Sequence, residues 1–292
     1  MTLLQAILLG IVQGLTEFIP ISSTAHLILA SRAMNLALNP EQLTASIAVI
    51  QLGTLIAVFV YFAGDIWSIT RAFIRDHYLL LKNGRRDDFN RTIPDSRLSP
   101  ETWLGWLVII GSIPVAVVGL AFKKQIEGTF TKNLWVIATM MVVIAVLLAI
   151  AEVVGKKLRR MHDLGIKDAL AVGFAQCLAL IPGSSRSGST IMAGLLVGEA
   201  RETAARFSFL LSIPAVAASG LLELREALHK LPPGSLPTLA IGTAVSGIVG
   251  YASIWFLLRY LRTHTTGVFI GYRLIVGGAI LIMLLTGRLA AL

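Results

Sequence analysis

The stretch VQGLTEFIPISSTAHLILAS, residues 12–31, decides how the chain is read. It is as apolar as a membrane helix, yet its middle carries Glu17, Pro20, Ser22, Ser23, Thr24 and His26. A second stretch, CLALIPGSSRSGSTIMAGLLVG (residues 177–198), repeats the pattern around Arg186. Aligning Pro20 with Pro182 sets IPISSTAH against IPGSSRSG, each between two apolar half-helices.

The surroundings say that both stretches sit at membrane depth. Of the 292 residues 55% are hydrophobic and 14% charged, with a mean hydropathy of +0.78. Soluble domains carry about 25% charged residues. Residues 45–64, 104–122, 134–151 and 231–258 hold no Asp, Glu, Lys or Arg. A helix needs roughly 20 such residues to cross the hydrocarbon core. Two weaker spans are 207–222 and 265–287, the latter interrupted by Arg273. Alternation of apolar and polar residues, the mark of a membrane barrel, is absent. The expected fold is an all-α polytopic membrane protein with six transmembrane helices and two re-entrant helical hairpins.

The formal net charge of +9 lies between apolar runs, where orientation signals lie, so nucleic acid is not an expected partner. Most Lys and Arg fall in 65–103, 154–168, 199–206 and 259–264, which the positive-inside rule makes cytoplasmic. The 65–103 segment has no periodic core and reads as a cytoplasmic loop whose basic residues meet anionic headgroups. Lys123, Lys124 and Lys132 fall on the opposite side. The start, MTLLQAILLG, lacks the basic flank of a signal peptide and reads as mature protein. The sole cysteine, Cys177, reads as a small core residue, Arg273 as a side chain snorkelling to the cytoplasmic interface, and Gln51 as an interhelical hydrogen bond. One domain, 1–292, then contains two repeats, about 1–153 and 165–292, entering from opposite sides. Breaks that point inward from such repeats are a transporter architecture.

Irregular backbone at membrane depth must be buried in protein or line a wet cavity. Pro20 and Pro182 interrupt helix at the preceding residue. Ser22, Ser23 and Thr24, like Ser184 and Ser185, suit N-caps of restarting helices. Two helix N-termini facing one another form an anion site, and Arg186 adds a planar fork suited to phosphate. Gly183 and Gly188 let backbone approach a ligand. Ser22, Thr24, Gly183, Ser184, Ser185, Ser187 and Thr190 are the expected phosphate-binding residues. Ser23 and His26 lie three apart on one helical face, with Glu17 across the break. A hydroxyl, an imidazole and a carboxylate beside an arginine suit phosphoryl transfer. Serines there also pack and cap, but intramembrane Glu17, His26 and Arg186 are costly and read as functional. If residues 20–26 and 182–190 lie farther apart than one diphosphate can bridge, the composite site fails.

QGLTEFIPISSTAH, IPGSSRSGST and EARETAARFSFLLSIP together resemble the bacterial undecaprenyl-diphosphate phosphatase family of the bacitracin-resistance type, over nearly the whole chain. The resemblance implies hydrolysis of undecaprenyl diphosphate to the monophosphate carrier in the bacterial inner membrane, serving peptidoglycan synthesis and bacitracin resistance. It places the essential residues on Glu17, Ser23, His26 and Arg186. The hairpin that carries the reactive groups enters from the outer side, so the site is expected to open to the outer face. The resemblance also implies a divalent cation, Mg2+ or Ca2+, at Glu17. Some relatives have glutamate where this chain has Gln13, a weaker ligand for a hard cation. The nucleophile is Ser23 or, alternatively, His26 through a phosphohistidine. A transporter or flippase of a polyprenyl phosphate or other anion is the rival reading. The other membrane lipid phosphatases pair an SR segment with HxxxD; His229 and His264 lack that aspartate. Beyond the polyprenyl diphosphate and the bilayer, a homodimer is left open.

Overall fold

The structure, a computed structural model, describes residues 1–83, 98–122, 133–231 and 234–291, with backbone alone at 40, 219, 222, 223 and 226–229. Eleven α-helices are found among the described residues. They are α1 (Leu3–Phe18), α2 (Ser23–Ala33), α3 (Pro40–Tyr61), α4 (Ala63–Asn83), α5 (Pro100–Ala121), α6 (Leu134–Val154), α7 (Ile166–Cys177), α8 (Arg186–Leu196), α9 (Arg201–Lys230), α10 (Leu236–Leu261) and α11 (Gly267–Leu285). Local chemistry sets their starts. Thr2 and Gln5 form a reciprocal capping box at α1, and Asn39 with Gln42 does the same at α3. Proline follows the cap in α3 and α5, where its missing N–H costs nothing.

Five helices are long and apolar enough to cross a membrane: Glu41–Tyr61, Pro100–Ala121, Leu134–Val154, Leu236–Leu261 and Gly267–Leu285. The sixth expected span, 207–222, is the middle of α9, a longer helix with charges at both ends and Pro214 inside. α1 packs on α10 and α7 on α5, while α3 pairs with α9 and α6 with α11. These approaches need glycine. A Cβ on Gly10 would stand 2.4 Å from the Gly242 carbonyl oxygen, and one on Gly173 would stand 2.2 Å from that of Gly111. The backbones therefore meet directly, as small residues allow between membrane helices.

Part of the connection expected to be a loop is helical. Residues 65–83 belong to α4 and 100–103 to α5, while 84–97 lie outside the described residues, as do Lys123, Lys124 and Lys132. α4 was missed because its buried stripe is narrow and partly polar. Ile69 and Phe73 cover Gly105 of α5, and Ser99 Oγ and N donate to Asp76 at 2.5 and 2.9 Å. Those bonds, with one from Thr102, hold the Asp76 carboxyl well below its ordinary range.

One end of the bundle is fastened by ion pairs. Asp65 meets Arg206 at 2.6 Å, Glu202 meets Arg262 at 2.8 Å, Glu152 holds Arg201, and Asp168 holds Arg159. Glu199, in the turn between α8 and α9, lies beside the last pair. It is fully buried, and neither carboxylate oxygen has a hydrogen-bond partner among the described residues. Burial first, and the neighbouring Asp168 second, push its carboxyl up to about 8 against the partial opposition of Arg159.

Candidate active site

The two polar stretches fold as the sequence predicts, each a helix, a break and a second helix. α1 ends at Phe18; Ile19 is extended, as a residue before proline prefers. α2 restarts after Ser22, whose hydroxyl accepts from the Ala25 N–H. In the second stretch α7 passes through a 3-10 turn, Leu178–Leu180, and α8 restarts after Ser185, whose hydroxyl accepts from the Gly188 N–H at 3.2 Å. Both caps have positive φ, 80° at Ser22 and 67° at Ser185. Only two other described non-glycine residues do, Asn35 and Lys157, so this strained geometry is shared by the two breaks.

The shared caps correct the sequence register by one residue. Ser22 corresponds to Ser185 and Ser23 to Arg186, although the prolines suggested Ser22 with Ser184. The second break contains one more residue, taken up at Gly183 with φ 90°. A Cβ there would stand 2.1 Å from the Ile137 carbonyl oxygen. Gly183 is thus required for backbone packing against α6, where the sequence suggested approach to a ligand.

The breaks meet. Arg186 Nη2 lies 3.0 Å from Glu17 Oε1, an ion pair with both side chains almost fully enclosed. Gln13, one turn earlier on α1, donates Nε2–H to Glu17 Oε2 at 3.1 Å and toward Thr54 Oγ1 at 3.4 Å. Arg186 Nη1 is buried and has no partner among the described residues, as are the hydroxyls of Ser184 and Ser189. Buried donors are nearly always paired, so these groups mark where a polar ligand would be accepted. The cluster is cationic and donor-rich, which suits an anion.

Arg273 of α11 joins the breaks a second time. The sequence placed this side chain at the cytoplasmic interface; it is instead fully buried. Its Nη2 reaches the carbonyl oxygens of Gly183 at 3.0 Å and Ser184 at 3.1 Å, and its Nη1 that of Pro20 at 3.4 Å. Nε and Nη2 also reach Met141 O and Met140 O on α6. Carbonyls freed by the broken helices thus solvate the guanidinium in place of water. An arginine inside an apolar segment is functional by default, and that signal, given more weight than snorkelling, identifies it.

The other expected residues fall as follows. Ser23 opens α2, half-buried, and Thr24 beside it is exposed. Ser187 Oγ lies 3.2 Å from Ser185 Oγ. Thr190 is buried, bonding back to the Arg186 carbonyl at 2.7 Å and to Ser208 Oγ at 2.5 Å, so its hydroxyl is used inside the protein. His26 Nδ1 lies 2.7 Å from Ser22 O and Nε2 2.7 Å from Tyr272 Oη, a residue that the sequence reading missed. No group of three or more His, Cys, Asp or Glu that could hold a metal ion is found among the described residues. Among the described residues Glu17 is the one carboxylate bonded at the breaks, and Arg186 and Gln13 already occupy its oxygens. A hard divalent cation takes six or more oxygens, so the residues present do not fit a cation held by the protein alone.

Residues 6–279 match the family described as bacitracin resistance protein BacA. A protein of Syntrophobacter fumaroxidans named undecaprenyl-diphosphatase is 52% identical over 97% of this chain and 98% of its own length. Proteins of the same name from Chlorobium luteolum, 47% identical over 97% of this chain and 98% of their own, and Mycolicibacterium gilvum, 46% identical over the full length of both, are also similar.

Proposed function

The chain belongs to the bacitracin resistance family BacA, and from that premise we propose that it hydrolyses undecaprenyl diphosphate to undecaprenyl phosphate and inorganic phosphate. One observation carries the reading from the site itself: Arg186, the first residue of the serine-capped α8, stands 3.0 Å from Glu17 in the last turn of α1. Helix N-termini favour phosphate, and the arginine fork can hold two of its oxygens.

Arg186, Ser185 and the amides of the two helix starts bind the diphosphate. Ser23 Oγ then bonds to the terminal phosphorus as the bridging P–O bond breaks, and undecaprenyl phosphate leaves. The serine proton passes to Glu17, which the arriving phosphate has displaced from Arg186. Water cleaves the phosphoserine, releases inorganic phosphate and returns the proton to Ser23. Both ring nitrogens of His26 are already bonded, which supports serine over histidine as nucleophile. A Mg2+ or Ca2+ ion would draw its oxygens mainly from the substrate's phosphates, with Glu17 as the protein's donor.

The finer architecture belongs to the same proposal. The pairing of α1 with α10 mirrors that of α7 with α5, and α3–α9 and α6–α11 pair like with like. This supports two inverted repeats, about 1–153 and 165–292, with the ion-paired end cytoplasmic and the site open to the outer face of the inner membrane. The polyprenyl tail leaves sideways into lipid.

Phosphate release by purified protein from undecaprenyl diphosphate, lost by two or more orders of magnitude in Arg186→Ala and Glu17→Ala, is the expected result. Movement of the lipid across liposomes without phosphate release would overturn it in favour of transport.

A further inference from the structure

We infer that Tyr272 is a positioning residue that fixes the tautomer of His26 and, through it, the helix turn bearing Ser23. The observations are two contacts of His26 and one adjacency in sequence. His26 Nδ1 lies 2.7 Å from the Ser22 carbonyl oxygen, one turn back on α2. His26 Nε2 lies 2.7 Å from Tyr272 Oη, and the two rings are stacked at 16° with centroids 5.5 Å apart. Tyr272 precedes Arg273, the side chain that holds the carbonyls of both breaks.

A carbonyl oxygen can only accept, so Nδ1 carries the hydrogen. In the neutral ring Nε2 must then be the lone-pair nitrogen, and the tyrosine O–H donates to it. The bond made by one ring nitrogen sets the state of the other, and here both bonds select the same form. His26 is thereby held as the Nδ1–H tautomer, with its donor on the carbonyl of the residue that caps α2. Ser22 needs that support, because it holds a positive φ of 80° without being glycine. The next residue is Ser23. The described hydrogen bond of Tyr272 is to His26, through which it acts. Two consecutive residues of α11 therefore serve the site: Arg273 ties the breaks together and Tyr272 sets the orientation within the first.

The inference rests on the phosphatase reading, and its test is separable from that reading. Two-bond proton–nitrogen NMR on protein with 15N-labelled histidine, with His26→Gln to assign the signal, reads the tautomer without substrate. Wild type is expected to show a protonated Nδ1 and an unprotonated Nε2 at His26. Tyr272→Phe keeps the ring and removes the hydroxyl. It is expected to lose that pattern and to lower kcat about tenfold or more with KM within twofold, the signature of an interaction that acts on the chemical step. An Nε2–H tautomer in wild type overturns the inference even if the phenylalanine variant fails to fold. So does a folded Tyr272→Phe protein that keeps both tautomer and kcat, or one whose KM alone changes. Absence of phosphate release in wild type would sink the phosphatase reading and leave the tautomer result standing.

Discussion

Replacing Arg273 with leucine removes a side chain bonded to carbonyls of both breaks. Two of its bonds to break carbonyls are short, 3.0 Å to Gly183 and 3.1 Å to Ser184, and the third, to Pro20, is long at 3.4 Å. Hydrogen bonds from a charged donor contribute roughly 1.5–3 kcal/mol each, so the two short ones account for about 3–6 kcal/mol. Leucine also relieves the burial of a charge, worth several kcal/mol in the opposite direction. Global stability should therefore fall only moderately, by about 1–3 kcal/mol. Catalysis should fall further. The freed carbonyls turn toward other donors, and the Glu17–Arg186 geometry that spans the breaks loses its second tie. A misplacement of about 1 Å at a reacting centre can cost two orders of magnitude, so phosphate release should drop by about 10²-fold. Arg273→Lys, with a point charge that cannot reach both breaks at once, should fall between. Thermal unfolding in detergent and phosphate release on the same preparations measure both quantities. A folded leucine variant that releases phosphate within twofold of wild type would refute the clamp.

The buried Glu199 makes stability depend on pH. Its carboxyl is raised to about 8 in the fold from an ordinary 4.5, so its contribution is complete below pH 4.5 and is lost as pH rises through 8, at roughly 1.4 kcal/mol per unit. Glu199→Gln, which cannot ionise, should flatten the fall in Tm between pH 5 and 8; equal slopes in the two proteins would contradict this. Gly183→Ala combines φ 90° with a Cβ 2.1 Å from the Ile137 carbonyl oxygen, and should destabilise by more than 2 kcal/mol, on the order of an overpacked core. Gly198→Ala has a similar φ of 91° but no neighbour closer than 3.8 Å, and should cost only the conformational part, about 1–2 kcal/mol. If the two variants unfold together, the close packing at Gly183 is not what matters.

The membrane spans and the polar breaks were legible because each announces itself locally. Uncharged runs of about 20 residues have one physical solution, and a carboxylate, a proline and serines inside such a run have few. That Glu17 and Arg186 belong to one site also followed, since a buried charge needs a partner. What stayed hidden depends on the third dimension. Arg273 is the seventh residue of α11, and sequence position alone places it equally well near an interface or against a break. The distinction lies in Pro20, Gly183 and Ser184, whose carbonyls no local pattern brings to α11. Tyr272 gave no signal, because a tyrosine near a membrane surface is ordinary. The register error arose similarly: two prolines aligned well, but the extra residue at Gly183 moved the cap from Ser184 to Ser185. α4 was missed because one stripe of it is fastened by hydroxyls to Asp76 rather than by apolar side chains.

The ion pair between Glu17 and Arg186 has a bearing on selectivity. Only Nη2 of the arginine faces this counter-ion, while Nη1 has no partner among the described residues, so in the proposed mechanism an anion meets one open donor and one to be exchanged. A monoanion replaces one negative charge with another and gains little for expelling the carboxylate. A diphosphate terminus carries more charge and more acceptor oxygens, and in the proposed mechanism it takes the place of Glu17 on the fork. After the chemistry the returning carboxylate competes with inorganic phosphate for the same fork and helps to dislodge it. In the proposed mechanism the pair favours the more highly charged ligand at the fork.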